Sequence, residues 1–427
     1  MISGFLIAAI KFILVISFLV LIHEAGHFFT AKAVGIKVNE FAIGFGPKLF
    51  SKQKGETKYS IRCLPLGGYV AMEGEEESSD DPRAFNNKPV WARMLVVVMG
   101  GLVNMVFAIV VIFIMTMNNG TFESRVVERI GVDSAGARAG IQVGDEVVAI
   151  NGKPMRVMDD ITEYLRVNKQ NQVTVKVKRN NEFLEYNLVP DKQELGLIGI
   201  ALTEDGSTYS NQIMDLEKNS PALNVGMQIG DRITSVAGIE TTDPAEIMTV
   251  IALNSNKEIP VKILRGNEEI EFLVTPITPE ILARYVIGFN GKTVSGSLGQ
   301  RIYNAFWQSM AEVRAMYNQV IELLSGKIDT KYLSGPVGIA KVVGETNGFE
   351  DLLTLVVFIS LNLGIVNLLP FPPLDGGKMV FLLIELLRKK PIKEEVEAYF
   401  QLAGFSLLIL LMIFVTFNDV TGRASLF

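Results

Sequence analysis

Residues 23–27 read His-Glu-Ala-Gly-His. On a helix, H-E-x-x-H puts two imidazoles one turn apart on one face, where both can ligate one metal ion. The intervening carboxylate is then placed to act on a water that the metal activates. The chemistry on offer is hydrolysis. The chain has two histidines, His23 and His27, and both are in this motif. They lie within an otherwise almost wholly apolar run from Ile2 to about Val34, interrupted besides the motif by Lys11. Ionisable groups in such a run cost a few kcal/mol each, which favours a functional site over ordinary polar contacts between helices.

A catalytic zinc usually takes three protein ligands and leaves one position to water. There is no third histidine and one thiol, Cys63, so the missing ligand should be a carboxylate. Asp375 is the best placed, in NLLPFPPLDGGKM (367–379), where Pro370, Pro372 and Pro373 break a helix and Gly376-Gly377 free the backbone. Broken helices at membrane depth are tolerated where they line a cavity or are buried in protein. Glu385 is a rival, and Glu350 and Asp351 lie at the other end of the same apolar span.

The elements that must position these groups are apolar. Of 427 residues, 49% are hydrophobic yet 20% are charged, so the chain should be part membrane and part water-facing, with two to four domains. Four runs approach spanning length: 1–34, 94–117, 352–369 and 402–418. A cleaved signal peptide fits the first run poorly, because no basic segment precedes it and it is about twice a normal apolar core. Lys and Arg concentrate in the loops 35–93 and 379–401, which the positive-inside rule makes cytoplasmic. Residues 118–351 and both termini then lie on the far side. One cysteine excludes an internal disulfide framework, and no basic patch suggests a nucleic-acid partner.

The far-side segment repeats itself at an offset of 86 residues. AGIQVGDEVVAINGK (139–153) aligns with VGMQIGDRITSVAGI (225–239), and VTVKVKRNNEFLEYNLVP (173–190) with IPVKILRGNEEIEFLVTP (259–276). The alternating runs around Asn or Gly turns predict β-hairpins, with short helices near 159–166 and 244–252. Each unit resembles the PDZ domain of bacterial protease-associated type, which implies recognition of extended peptides at a sheet edge. Spacing or shielding of the membrane part is the alternative role. Residues 301–324 have helical apolar spacing, suited to the membrane surface or to the repeats.

Together HEAGH and N-x-x-P-x-P-x-L-D-G-G, about 340 residues apart, resemble the signatures of the site-2 protease family of intramembrane zinc metalloproteases. The likeness extends to IGFGPKLF (43–50) and LPLGGYVAM (64–72), similar to the family's β-structured loop that enters the membrane, and to FNNKPVWARM (85–94). Two tandem PDZ domains point to the sigma-E-regulating, RseP-type branch of Gram-negative bacteria. One departure is MGGLVN (99–104), with Gly100-Gly101 where the family often has Gly-Pro; it leaves the role of Asn104 open. The resemblance implies His23, His27 and Asp375 as ligands of one Zn2+ per chain and Glu24 as general base. It implies Asn367 as a contact to substrate backbone and Pro370 as a shaping residue. The strand containing Gly44, Phe45 and Gly46 is implied as an edge for a partly unwound substrate helix.

The expected fold is a polytopic α-helical membrane protein with four transmembrane helices, a membrane-associated β-loop and two α+β PDZ domains on the periplasmic side. The expected divisions are 1–34 first span, 35–93 reentrant loop, 94–117 second span, 118–203 and 204–285 PDZ domains, 286–351 amphipathic helix and connector, 352–378 third span with LDGG, 379–401 loop, and 402–418 fourth span. The expected activity is intramembrane cleavage of single-span membrane proteins in the bacterial inner membrane, such as an anti-sigma factor after a first periplasmic cut, or remnant signal peptides. The lipid bilayer and peptide ligands of the PDZ domains are further partners. A silent PDZ scaffold or chaperone would bind clients without products. A zinc transporter would have no use for Glu24 or for paired peptide-binding domains.

Overall fold

The computed structural model describes residues 2–75, 77–169, 171–205, 208–278, 283–327, 333–346 and 348–421. Two compact units divide the chain, one built mainly from residues 1–120, 298–325 and 334–419, the other from residues 121–297.

The first unit opens with helix α1 (Ile2–Ala33), then strands β1 (Val38–Lys54) and β2 (Thr57–Met72), then helix α2 (Val90–Asn119). Both strands are long and bent, β1 at Gly44 and Gly46 (φ +84° and +81°) and β2 at Gly67 (φ +90°), positions that L side chains rarely adopt. The bends fold two strands into four rows. Ile43 pairs with Gly68 on one side and with Ile61 on the other, and Ile61 pairs again with Phe50. The spatial order is therefore 68–72, 38–43, 58–61, 50–54. This small sheet lies along α1: Ser17 donates to the Pro65 carbonyl, and Lys32 donates to Glu56 at 2.7 Å. Those contacts cover about 22 Å of helix at 1.5 Å per residue. Ile43, Phe45, Leu49, Phe50, Ile61 and Leu64 are exposed on the sheet.

The second unit carries the repeat. Its first copy comprises β3 (Phe122–Ile130), α3 (Ala135–Ala139), β4 (Glu146–Ile150), β5 (Lys153–Pro154), α4 (Met158–Asn168), β6 (Val173–Arg179) and β7 (Glu182–Leu188), followed by the short β8 (Asp191–Gln193). Its second comprises β9 (Ile200–Asp205), β10 (Thr208–Leu216), α5 (Pro221–Asn224), β11 (Arg232–Val236), β12 (Ile239–Glu240), α6 (Pro244–Leu253), β13 (Ile259–Arg265) and β14 (Glu268–Val274). Then come β15 (Arg284–Val286), which pairs with β8, and β16 (Phe289–Val294). Alternating Val173, Val175 and Val177 face one core, and Ile259, Val261 and Ile263 the other.

The repeated Gly-Asp positions have the same job in both copies. Asp145 is buried and pairs with Arg179 (2.6 and 2.7 Å) while accepting from the Gln142 N–H at 2.9 Å. Asp231 does the same with Arg265 (2.8 Å twice) and the Gln228 N–H (2.8 Å). Burial pushes each carboxyl up, but the arginine and the backbone donor together hold both below the usual aspartate range.

The sheets differ in one edge. The second runs β14-β13-β11-β10-β9 and the first β7-β6-β4-β3-β16. The strand beside β10 thus precedes it in the chain, whereas the strand beside β3 comes from residues 289–294. Counting back 86 residues from β9 lands in the C-terminal end of α2, a helix that cannot double as a strand. The first copy is therefore completed by a segment that the sequence reading placed in the connector 286–351, and β9 begins the second copy before residue 204. The second copy is inserted within the first.

The first unit resumes with α7 (Leu298–Leu324), α8 (Pro336–Glu345), α9 (Phe349–Asn367), α10 (Asp375–Arg388) and α11 (Glu394–Thr421). Among the described residues, α1, α2, α9 and α11 are long and apolar enough to cross a membrane. In α7, Met316 and Val320 join Ala108, Ile112, Val357 and Leu361 in one core. Glycines let the spans touch. A Cβ on Gly26 would lie 2.4 Å from the Met99 carbonyl oxygen, and one on Gly101 2.8 Å from that of Gly364. Lys11, the charge that interrupts the first apolar run, donates to the Thr346 carbonyl at the end of α8 (3.1 Å). Asn104 is fully buried, its side-chain amide without a hydrogen-bond partner among the described residues, while its backbone carbonyl accepts from Ser360 at 2.9 Å.

Candidate metal centre

The HEAGH segment is helical within α1, so His23 and His27 share a face as the spacing requires. Asp375 is the first residue of α10. The two glycines that follow it allow the chain to turn back tightly. A Cβ on Gly376 would lie 2.0 Å from the Leu369 carbonyl oxygen, and one on Gly377 2.8 Å from the Phe371 carbonyl carbon. Gly404 of α11 closes on the other side, since a Cβ there would sit 2.0 Å from the Pro372 carbonyl oxygen. The proline-rich break is thus clasped between α10 and α11, and the clasp fixes where Asp375 points.

Asp375 Oδ2 lies 3.1 Å from His23 Nε2 and 3.3 Å from His27 Nε2, and the two Nε2 atoms are 3.1 Å apart. All three residues offer ligand atoms within 4.8 Å of one another. His27 Nδ1 is 2.8 Å from the Val96 carbonyl and donates to it. That bond fixes the tautomer and leaves the Nε2 lone pair turned into the site. Among the described residues, neither Asp375 Oδ2 nor His23 Nδ1, both buried, has a hydrogen-bond partner of good geometry. Two nitrogen donors and one carboxylate oxygen, crowded together and short of protons, match the donor set that a catalytic zinc takes.

α2 supplies the other wall. A Cβ on Gly100 would lie 2.3 Å from His27 Nε2 and 2.8 Å from His23 Cε1, so only glycine leaves the imidazoles their place. The sequence showed Gly100 beside the departing Gly101 but gave no sign that it faces the histidines. A cavity of about 210 Å³ opens on the cluster, lined by His23, Glu24, His27, Tyr69, Val70, Met72, Glu75, Val96, Val97, Asp375 and Lys378. Lys378, one turn beyond Asp375, pairs with Glu75 at 2.9 Å.

Other expected residues stand elsewhere. Glu385, the rival ligand, is held by Arg93 at 3.0 Å. Glu350 and Asp351 are in the first turn of α9. Asn367 ends α9 half-buried and Pro370 is exposed, and neither lines the cavity. Gly44, Phe45 and Gly46 form the bend of β1, and the row just before them is paired on both sides. Among the described residues, row 68–72 of β2 is paired on one side and supplies Tyr69, Val70 and Met72 to the cavity, which Gly44, Phe45 and Gly46 do not line. LPLGGYVAM was visible as part of the loop, but period-two alternation cannot tell an outer row from an inner one.

Comparison with known proteins gives a consistent result. The family described as peptidase family M50 matches residues 11–411. The regulator of sigma-W protease RasP of Bacillus subtilis (strain 168) is 32% identical over 440 residues, covering 97% of this chain and 99% of its own. The regulator of sigma-E protease RseP of Salmonella typhimurium (strain 14028s) is 31% identical over 448 residues, covering 96% and 97%. The zinc metalloprotease RasP of Shouchella clausii (strain KSM-K16) is 32% identical over 436 residues, covering 96% and 98%. With a match over nearly its whole length and a histidine–carboxylate cluster set between membrane-type helices, this chain belongs to peptidase family M50.

Proposed function

We propose that the chain is an intramembrane zinc metalloprotease in which His23, His27 and Asp375 hold one zinc ion and Glu24 is the general base. The observation that carries this reading is the convergence of those three donors beside Glu24 in one cavity, on helices of spanning length. A bound zinc supplies Lewis acidity, lowering the pKa of water and polarising a carbonyl. The protein does the rest. Glu24 takes a proton from the attacking water at its carboxylate and delivers it to the leaving amine nitrogen. The Val96 carbonyl holds the His27 ring, and Gly100 leaves room for it.

A helical peptide bond is shielded, so the substrate must be extended before water reaches it. The 68–72 row of β2, paired on one side among the described residues and lining the cavity with Tyr69, Val70 and Met72, is the edge we assign to that strand, by addition of main-chain hydrogen bonds. Asn367 is then a backbone contact on the approach to the cavity, and Pro370 shapes the break.

The loops 35–93 and 379–401, rich in Lys and Arg, are assigned to the cytoplasmic face of a bacterial inner membrane, with the repeats and termini periplasmic. Relatives named regulator of sigma-E protease and regulator of sigma-W protease suggest an anti-sigma factor, already cut once outside, as the substrate class. The repeated α+β units are read as PDZ domains that bind peptides or sieve out untrimmed substrates.

The test uses purified full-length protein, a single-span peptide, and a chelator control. Wild type should cut it and Glu24→Gln should not, although the variant keeps its zinc. Cleavage by the folded, zinc-loaded variant at the wild-type rate would overturn the assignment.

A further inference from the structure

Glu75 and Lys378 are not explained by zinc binding or by proton transfer, yet both line the cavity. Glu75 lies three residues beyond Met72, at the point where the chain leaves the 68–72 row of β2. Lys378 lies on α10 one turn after Asp375. Their ion pair, 2.9 Å from Nζ to Oε1, therefore ties the end of that row to the helix carrying the third donor. The Lys378 and Glu75 side chains are 33% and 19% exposed, so the pair is partly open to the cavity it lines.

Strand addition has a weakness that such a bridge would cure. Main-chain pairing does not distinguish a peptide from the same peptide slipped by two residues, because the side-chain faces and hydrogen bonds repeat at that interval. A slip of two residues moves the scissile bond by roughly 6.8 Å, out of reach of any fixed nucleophile. Resting on the proteolytic reading above, we propose that the Glu75–Lys378 bridge is a positioning pair that stops the added strand at the end of the β2 row. It thereby selects which peptide bond faces the metal centre. The pair touches neither the metal nor the reacting atoms; it acts through the register of the substrate.

The experiment compares wild type with Glu75→Gln, Lys378→Met, Lys378→Arg and the exchanged pair Glu75→Lys/Lys378→Glu, each checked for wild-type zinc content. A single-span peptide is digested and its products are mapped by mass spectrometry. A second arm needs no catalysis. Glu24→Gln protein with Cys63→Ser and Val70→Cys is disulfide cross-linked, with and without zinc, to peptides carrying one cysteine at successive positions. Wild type should give one cut and one preferred cross-link. Glu75→Gln and Lys378→Met should add cuts and cross-links displaced by two residues, while Lys378→Arg and the exchanged pair return a single register. Unchanged cut sites and cross-link positions in both broken-pair variants would overturn the proposal. A wild type that yields no chelator-sensitive product would instead count against the proteolytic reading, and the cross-link arm would still report the register.

Discussion

Gly100 and His27 are in contact across the α1–α2 interface so closely that a Cβ on the glycine would fall 2.3 Å from the imidazole Nε2. The metal centre therefore depends on an atom that is missing from α2 as much as on the donors that α1 presents.

Gly100→Ala should displace His27, and with it His23, while leaving the spans intact. Supports around a metal site are typically worth about 10–100-fold in affinity, and a loss of at least that size is expected here. Zinc titration followed by helical content from circular dichroism would check it. Wild-type zinc affinity would mean that the helices part easily to admit the methyl group.

Asp375→Asn should lower zinc content sharply, whereas Glu385→Gln should leave it unchanged, because Glu385 is engaged with Arg93 and not with the histidines. Metal analysis of the two purified variants decides between these carboxylates.

Gly376→Ala puts a methyl group 2.0 Å from the Leu369 carbonyl oxygen. Overpacking of this kind costs about 1–3 kcal/mol, and here the strain is relieved only by moving the residue next to Asp375. Both a lower melting temperature and a weaker zinc site are expected. A stability loss with unaltered zinc binding would show that the clasp around the proline break is not what aims Asp375.

The second unit should weaken in acid. Asp145 and Asp231 are held below the usual aspartate range in the folded state, chiefly by Arg179 and Arg265 against the opposing effect of burial. A depressed folded pKa gives stability that is present above the unfolded value, near 3.9, and is lost as pH falls towards the folded one. Hydrogen-exchange protection in strands β6, β7, β13 and β14, corrected for the intrinsic rate at each pH, should therefore fall below about pH 4. Arg179→Met, which takes the partner from the buried Asp145 carboxylate, should destabilise the first copy at neutral pH and remove its share of that acid sensitivity.

Much of the site was legible because its parts are costly where they stand. Two histidines and a glutamate in an apolar run, and an aspartate at a proline break, stand out against the membrane solvent. Gly100, Tyr69, Val70, Glu75 and Lys378 did not, for different reasons. A glycine among glycines carries no sign of what it faces. The cavity-lining residues of β2 sit in a pattern that fits an inner row as well as an outer one. Lys378 reads as one more basic residue near a helix end. The repeat was visible because Gly140, Gly144 and Asp145 recur at a constant offset, but β16 was not, since its counterpart β9 sits on the other side of its copy.

That displaced strand sets the order in which the two copies can mature during synthesis. Strands β9 to β14 are contiguous, and each meets a neighbour within the same stretch of chain. β3 must wait for β16, emerging some 160 residues later, before its outer side is paired. Closing so long a loop is slow compared with local pairing. The copy translated first is therefore the one finished last. A chain ending at residue 278 should show protected amides in its second copy, while the amides on the outer side of β3 in its first still exchange freely. The inner copy can therefore be folded while the strand that closes the outer one is still being made.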